Sequence, residues 1–211
     1  MTTLADQLNE FTAQIPAEIG GRINTGVEEV TTSGVAPGLA VGDAAPGFTL
    51  SDAVGDRVVL ADLLAKGPVV ATFYRGEWCP YCNLQLAALQ QVLPEIVSAG
   101  ATLVAISPQA PDHGLTMSEK HQLAFPVLSD LDQSVSEAYR VRFDVTGELE
   151  DLQVNVFQND PALHNADGRR SLPVPSTFVI DRDGTVRFAS VDADWRVRVD
   201  PSDVVAALKA L

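Results

Sequence analysis

Apolar positions recur along this chain in two rhythms, one helical and one extended. Near the N-terminus Leu4, Leu8, Phe11 and Ile15 fall three and four residues apart, the spacing of one helix face, before Pro16 interrupts it. A second, weaker helical piece is expected over 17–30, diluted by Gly20, Gly21 and Gly26. This arm is expected to pack on the rest of the chain rather than to be exchanged with a second copy. Residues 31–47, rich in Gly, Pro, Ser and Thr, predict a linker. Apolar triplets at 48–50 and 58–60 around the turn residues 52–56 predict a hairpin, and 60–66 a helical turn or two stopped by Gly67 and Pro68.

Continuous apolar runs at 69–74, 102–106 and 177–180 predict buried strands. After the first of these, Leu86, Leu89, Leu93 and Ile96 mark a long helix that Pro94 is expected to bend or restart. A short helix is expected over 112–123, a short strand over 125–128, and a helix over 130–142 capped by Asp130 with Ala138 and Tyr139 facing in. The turn Asp181–Gly184 predicts a hairpin returning through 186–189. Asp200 and Pro201 open a last helix with Val204, Val205, Leu208 and Leu211 inward. The polar stretch 143–172, with Val154, Val156 and Phe157 as an apolar island, is long for a plain connection; it predicts a functional or interface element, or disorder. His164, inside it, is given no catalytic role. The order of elements is that of an α/β chain with a central mixed sheet and helices on both faces.

At 211 residues and 46% hydrophobic, the chain can bury a full core. Its net charge of −14, with no basic cluster beyond Arg169-Arg170, argues against nucleic acid and anionic membrane surfaces as partners. The first residues show neither a basic segment nor an apolar one, and no apolar run reaches membrane-spanning length, so a cytoplasmic location is expected.

Only two cysteines are present, three residues apart, in Glu77-Trp78-Cys79-Pro80-Tyr81-Cys82. They stand where a strand hands over to a helix. Free N–H groups and the helix dipole there favour a thiolate, and Pro80 suits a first-turn position. The pattern is that of a thioredoxin-type redox centre. Two alternatives stand beside it: a pair of inert core cysteines, and a zinc site, for which His113, His121 and His164 supply no second paired motif. If the strands at 69–74 and 102–106 are parallel, Ser107-Pro108-Gln109 faces the cysteines, because ligands gather at strand carboxyl ends.

The stretches Val41–Leu50, Phe73–Cys82 and Pro175–Asp181 followed by Asp183-Gly184 carry a resemblance to the peroxiredoxin-like alkyl hydroperoxide reductase C / thiol-specific antioxidant (AhpC/TSA) branch of the thioredoxin superfamily. The resemblance implies a thioredoxin-like fold over 41–211, with 1–40 as an N-terminal helical arm and linker. It implies a thiol peroxidase that reduces hydrogen peroxide or organic hydroperoxides, is recycled by a thioredoxin- or glutathione-type thiol, needs no cofactor and often forms a homodimer. Such proteins usually carry Pro-x-x-x-Thr-x-x-Cys. Aligned without gaps on Phe73-Tyr74, Cys82 falls on the attacking cysteine, Cys79 replaces the Thr and Arg75 the Pro. Pro175 stands where the family has an arginine, and resembles the cis-proline of thioredoxins. In the peroxidase reading Cys82 attacks, Cys79 resolves and Arg75 steadies the thiolate. In the alternative, thiol–disulfide exchange, Cys79 attacks, Cys82 resolves, Trp78 covers the site, Tyr81 lines it and Pro175 shapes the docking surface. The Cys-Pro-Tyr-Cys sequence also matches the glutaredoxin motif. A third reading keeps the fold as a scaffold without chemistry.

Overall fold

The computed structural model describes residues 3–211. Its elements are, in order, α1 (Leu4–Thr12), α2 (Ala17–Ser33), β1 (Thr49–Asp52), β2 (Arg57–Val59), α3 (Leu60–Leu64), β3 (Val69–Phe73), α4 (Pro80–Ser98), β4 (Thr102–Ser107), α5 (Pro111–His121), β5 (Val127–Ser129), α6 (Ser134–Ala138), β6 (Arg142–Asp144), α7 (Gly147–Asp151), β7 (Ser171–Pro173), β8 (Ser176–Ile180), β9 (Val186–Val191) and α8 (Pro201–Lys209). Seven strands form one mixed sheet in the order β2-β1-β5-β4-β3-β8-β9, with β3/β4 and β4/β5 parallel and the other pairs antiparallel. β6 and β7 pair separately.

The period-2 geometry of a strand divides the core. Val70, Leu103, Ala105 and Val179 point to the face covered by α4, α5 and α8, where they meet Leu86, Leu89, Met117 and Val204. Their neighbours Val69, Ala71, Phe73, Val104, Ile106 and Phe178 point to the other face, against Leu60, Val135 and Tyr139. Both faces of β3, β4 and β8 are therefore dry, which is why these strands read as unbroken apolar runs.

Several sequence expectations need correction. The glycines do not weaken α2, which runs for 17 residues to Ser33 and stops at left-handed Gly34. Gly26 has a packing role: a Cβ there would sit 2.3 Å from Leu149 Cδ2. The arm does pack on the sheet domain, with Leu4, Leu8 and Ile23 in the same core cluster as α4. α4 continues through Pro94 to Ser98. The helix expected over 130–142 shrinks to the five residues of α6, in which Ala138 is exposed while Tyr139, just beyond it, is buried. Asp130 does bind its first turn, accepting from the N–H groups of Val135 and Ser136. Leu211 is exposed rather than inward. The stretch 143–172 is folded: β6, α7, a π turn at Leu152–Val156, a 3-10 turn at Pro161–Leu163 and the start of β7. Its buried residues include Phe143, Val145, Leu149, Leu152, Gln153, Asn165, Ser171 and Leu172, whereas Val156 and Phe157 are exposed.

Candidate active site

β3 delivers Tyr74 and Arg75 to the carboxyl edge of the sheet, and the chain turns through Gly76 into α4. Gly76 has φ 155°, and a Cβ on it would lie 2.4 Å from Trp78 Nε1, so glycine is required. The turn is pinned from three sides. Glu77 N–H donates to Gln109 Oε1 at 2.6 Å, from the loop after β4, as the parallel β3/β4 pairing requires. His113 Nδ1 lies 3.0 Å from Glu77 Oε1. Asn83 Nδ2 donates to the carbonyls of Glu77 and Cys79, both at 2.8 Å, and His121 Nε2 meets Asn83 Oδ1 at 2.6 Å. Burial lowers the His121 pKa. Cys79 then occupies the N-cap of α4, Pro80 opens its first turn, and Cys82 follows inside that turn.

Both cysteines are free thiols and buried, Cys79 at 1% and Cys82 at 0% exposure. Each meets a guanidinium: Arg75 Nη1 is 3.9 Å from Cys79 Sγ, and Arg198 Nη2 is 3.6 Å from Cys82 Sγ. Among the described residues neither arginine has a carboxylate partner. Arg75, 4% exposed, is held instead between two indoles, with its guanidinium carbon 4.9 Å from the Trp78 ring and 4.6 Å from the Trp195 ring. A buried guanidinium without an anion is costly, and the anion this site can make is a thiolate. Burial alone would push the Cys79 thiol up. A hydrogen bond from the Cys82 thiol, with the charges of Arg75 and Arg198, overcomes it and holds Cys79 well below the ordinary thiol range. Cys82 goes the other way: burial and the neighbouring Cys79 raise it, so it stays a thiol. The pair therefore splits into one thiolate and one proton donor.

Of the two, Cys79 lines the cavity at the head of α4. A cavity of about 460 Å³ is lined by Cys79, Arg75, Trp78, Pro80 and Tyr81, by Phe11, Ile15 and Ile23 of the arm, by Gln153 and the segment 157–159, and by Trp195. Cys82 is not among its lining residues. Nε of Arg75 and Nε1 of Trp78, both on cavity-lining residues, are buried and have no partner among the described residues. His164 stands beside Trp78, ring centroids 5.9 Å apart, with its pKa lowered chiefly by burial.

The structure thus brings Cys79, Cys82, Arg75, Trp78, Pro80 and Tyr81 together. Tyr81 both lines the cavity and ties α4 to the arm, its hydroxyl 3.0 Å from Thr12 Oγ1 and its ring edge-on to Phe11 at 5.1 Å. Pro175 is the exception. No peptide bond among the described residues is cis, and Pro175 lines a separate small cavity beside Gln85 and Ser176, so it does not reproduce the cis-proline of thioredoxins. Trp195 and Arg198 join the site with no motif to announce them. They sit in the irregular segment between β9 and α8, and the sole signal there is an aromatic and two arginines in Trp195-Arg196-Val197-Arg198.

Comparisons with known proteins identify the family and the fold. The model of the AhpC/TSA family matches residues 41–189. A peroxiredoxin candidate of Mycobacterium tuberculosis is 33% identical over 148 residues, which cover 70% of this chain and 82% of that protein. Peroxiredoxin Bcp of Escherichia coli K12 is 35% identical over 103 residues, 49% of this chain and 65% of Bcp. The crystal structure of peroxidoxin BcpB from Mycobacterium tuberculosis superposes with a TM-score of 0.64 at 24% identity, covering 82% of this chain and 98% of that one, a likeness of fold. With a family match that spans most of the sheet and both cysteines, the chain belongs to the AhpC/TSA family, thioredoxin-like in fold and an oxidoreductase of the peroxiredoxin kind.

Proposed function

We propose that this peroxiredoxin relative reduces hydroperoxides with Cys79 as the attacking thiolate and Cys82 as the resolving thiol. The observation that carries the assignment is the cavity: Cys79 lines it beside Arg75, and Cys82 does not. The Cys79 thiolate attacks the terminal oxygen of R–O–O–H. The S–O bond forms as the O–O bond breaks, leaving Cys79 as sulfenic acid, and the departing RO⁻ takes up a proton as the alcohol. Arg75 neutralises the thiolate before attack and offers N–H groups to the peroxide oxygens where negative charge develops. The Cys82 sulfur, as thiolate, then displaces hydroxide from Cys79, giving a disulfide and water. Two thiols of a thioredoxin- or glutathione-type reductant return the pair to its starting state. Both sulfurs are buried, so the external thiolate is expected to enter through the cavity and attack Cys79.

This assignment reverses the roles that the ungapped alignment gives the two cysteines, and one experiment separates them. Cys82→Ser and Cys79→Ser are each mixed with one equivalent of hydroperoxide, and sulfenic acid is trapped with dimedone and located by peptide mass spectrometry. The expected adduct is on Cys79 in Cys82→Ser, formed far faster than on a free thiol. A fast adduct on Cys82 in Cys79→Ser would restore the aligned roles. Oxidation no faster than that of a free thiol in either variant and in the native chain would leave disulfide exchange as the activity.

A further inference from the structure

The cavity in front of Cys79 is built partly by residues that precede the family match. Phe11 and Ile15, on and just after α1, and Ile23, on α2, form one wall, while the matched region begins at residue 41. We infer that the arm is the specificity element of this site, its apolar wall selecting hydroperoxides that carry an aryl or alkyl group over hydrogen peroxide; the inference rests on the peroxidase reading above.

Three features support it. The first is size. A cavity of about 460 Å³ falls in the range that holds small organic ligands, whereas hydrogen peroxide fills on the order of one or two water volumes of about 30 Å³ each. The second is polarity. Cys79 and Arg75 line the cavity with polar Gln153, Gln158 and Asn159, while Phe11, Ile15 and Ile23 of the arm and Phe157 contribute hydrocarbon. A ligand matching both kinds of lining has an O–O–H head and an apolar tail. The third is rigidity. Thr12 Oγ1 lies 3.0 Å from the hydroxyl of cavity-lining Tyr81, Asn24 accepts from Arg196 Nη2 at 2.7 Å, Arg22 pairs with Glu148 and Asp151, and Leu149 fills the notch at Gly26. The arm is thus fastened at both ends of the wall. A preformed apolar wall lowers the cost of ordering a tail on binding. The chemistry is unchanged: ROOH enters, the oxygen goes to Cys79, and ROH leaves from the same wall.

The test compares kcat/KM for cumene hydroperoxide and for hydrogen peroxide in the native chain, Phe11→Ala and Ile15→Trp, each checked for folding by thermal melting. The native ratio is expected to favour cumene hydroperoxide by at least about tenfold. Phe11→Ala is expected to lower that ratio about tenfold, chiefly through KM, because a packed ring is lost from the tail site. Ile15→Trp, which narrows the cavity without removing packing, is expected to lower it as well. Cumyl alcohol, the product, is expected to quench tryptophan fluorescence of Cys79→Ser and to bind more weakly when Phe11→Ala is added. Turnover of both peroxides with a ratio near one, or a ratio unmoved by both substitutions, would overturn the inference and leave the peroxidase reading standing. No turnover of either peroxide would overturn both.

Discussion

The Arg75 guanidinium reaches Cys79 Sγ at 3.9 Å and has no carboxylate to answer it among the described residues. Its charge is therefore available to the sulfur. Removing that charge should raise the Cys79 pKa toward that of an ordinary thiol, near 8.5. Because the thiolate is the reactive form, alkylation of native Cys79 by iodoacetamide is expected to hold its plateau rate to a pH well below that value and fall only as the thiolate is protonated. In Arg75→Met the midpoint should move upward by at least about one unit, and oxidation at pH 7 should slow about tenfold or more, chiefly through loss of the N–H groups offered to the peroxide oxygens, since a one-unit rise from about 5 leaves most of Cys79 as thiolate at that pH. Arg75→Lys keeps the charge but loses the planar stack between Trp78 and Trp195, so it should fall between the two. An unmoved alkylation midpoint in Arg75→Met would remove Arg75 from the activation of Cys79.

Arg198 sits on the other sulfur, 3.6 Å from Cys82 Sγ. Cys82 is a thiol in the reduced pair, held up by burial and by Cys79, and it must lose its proton once Cys79 is a sulfenic acid. Oxidation of Cys79 removes the thiolate that repels a second negative charge, and Arg198 then favours the Cys82 thiolate. Stopped-flow fluorescence should resolve two phases, since both tryptophans of the chain flank Arg75. Arg198→Met is expected to slow the second phase, disulfide formation, about tenfold, and the first phase by much less. Equal slowing of both phases would mean that Arg198 acts on the site as a whole.

What could be read from the sequence follows the physics of each element. β3, β4 and β8 are buried on both faces, so their composition announces them, and the placement of Cys79 at the head of α4 follows from strand, loop and helix periodicity alone. The Ser107–Gln109 exit could be placed opposite the cysteines because parallel strands put their carboxyl ends on one edge. Arg198 and Trp195 could not. They act from an irregular segment with no period, more than a hundred residues from the cysteines in sequence, and only tertiary packing brings them in. Glycine propensity understates α2, because it counts the cost to an isolated helix and not the contact Gly26 makes possible with Leu149. α6 is shorter than the expected helix over 130–142 because, of Ala138 and Tyr139, only Tyr139 is buried, and it lies just past the last helical residue.

Asp130 is a buried carboxylate with three donors: the N–H groups of Val135 and Ser136 and the hydroxyl of Ser136. Asp130→Ala strands them at the head of α6 and is expected to cost about 2–3 kcal/mol, a Tm loss of about 5–10 °C. Asp130→Asn keeps one acceptor and removes a buried charge, so it should cost less. Burial raises the Asp130 pKa, outweighing the hydrogen bonds that lower it. A group raised in the folded state stabilises below its unfolded pKa and loses that contribution as pH rises. Relative to the native chain, Asp130→Asn should therefore gain Tm between pH 4 and pH 7. A Tm difference independent of pH would mean that Asp130 does not titrate differently in the folded state.

Gly76 decides the path of the chain between Arg75 and Cys79, and a single methyl tests how closely that path is tied to the chemistry. At φ 155° an alanine is strained, and its Cβ would press on Trp78 Nε1 at 2.4 Å and on Gln109 Oε1 at 3.0 Å. Relief requires Trp78 to move off the Arg75 guanidinium or Gln109 to release the Glu77 N–H. Gly76→Ala is expected to lose about 1–3 kcal/mol of stability. It should also shift the tryptophan emission, because Trp78 is one of two indoles in the chain. The displaced guanidinium should no longer hold Cys79 as thiolate, so the alkylation midpoint should rise in the same direction as in Arg75→Met, with sulfenic acid formation slowed accordingly. A variant that melts lower yet keeps the native alkylation profile would show that the turn stabilises the fold without setting the charge of the nucleophile.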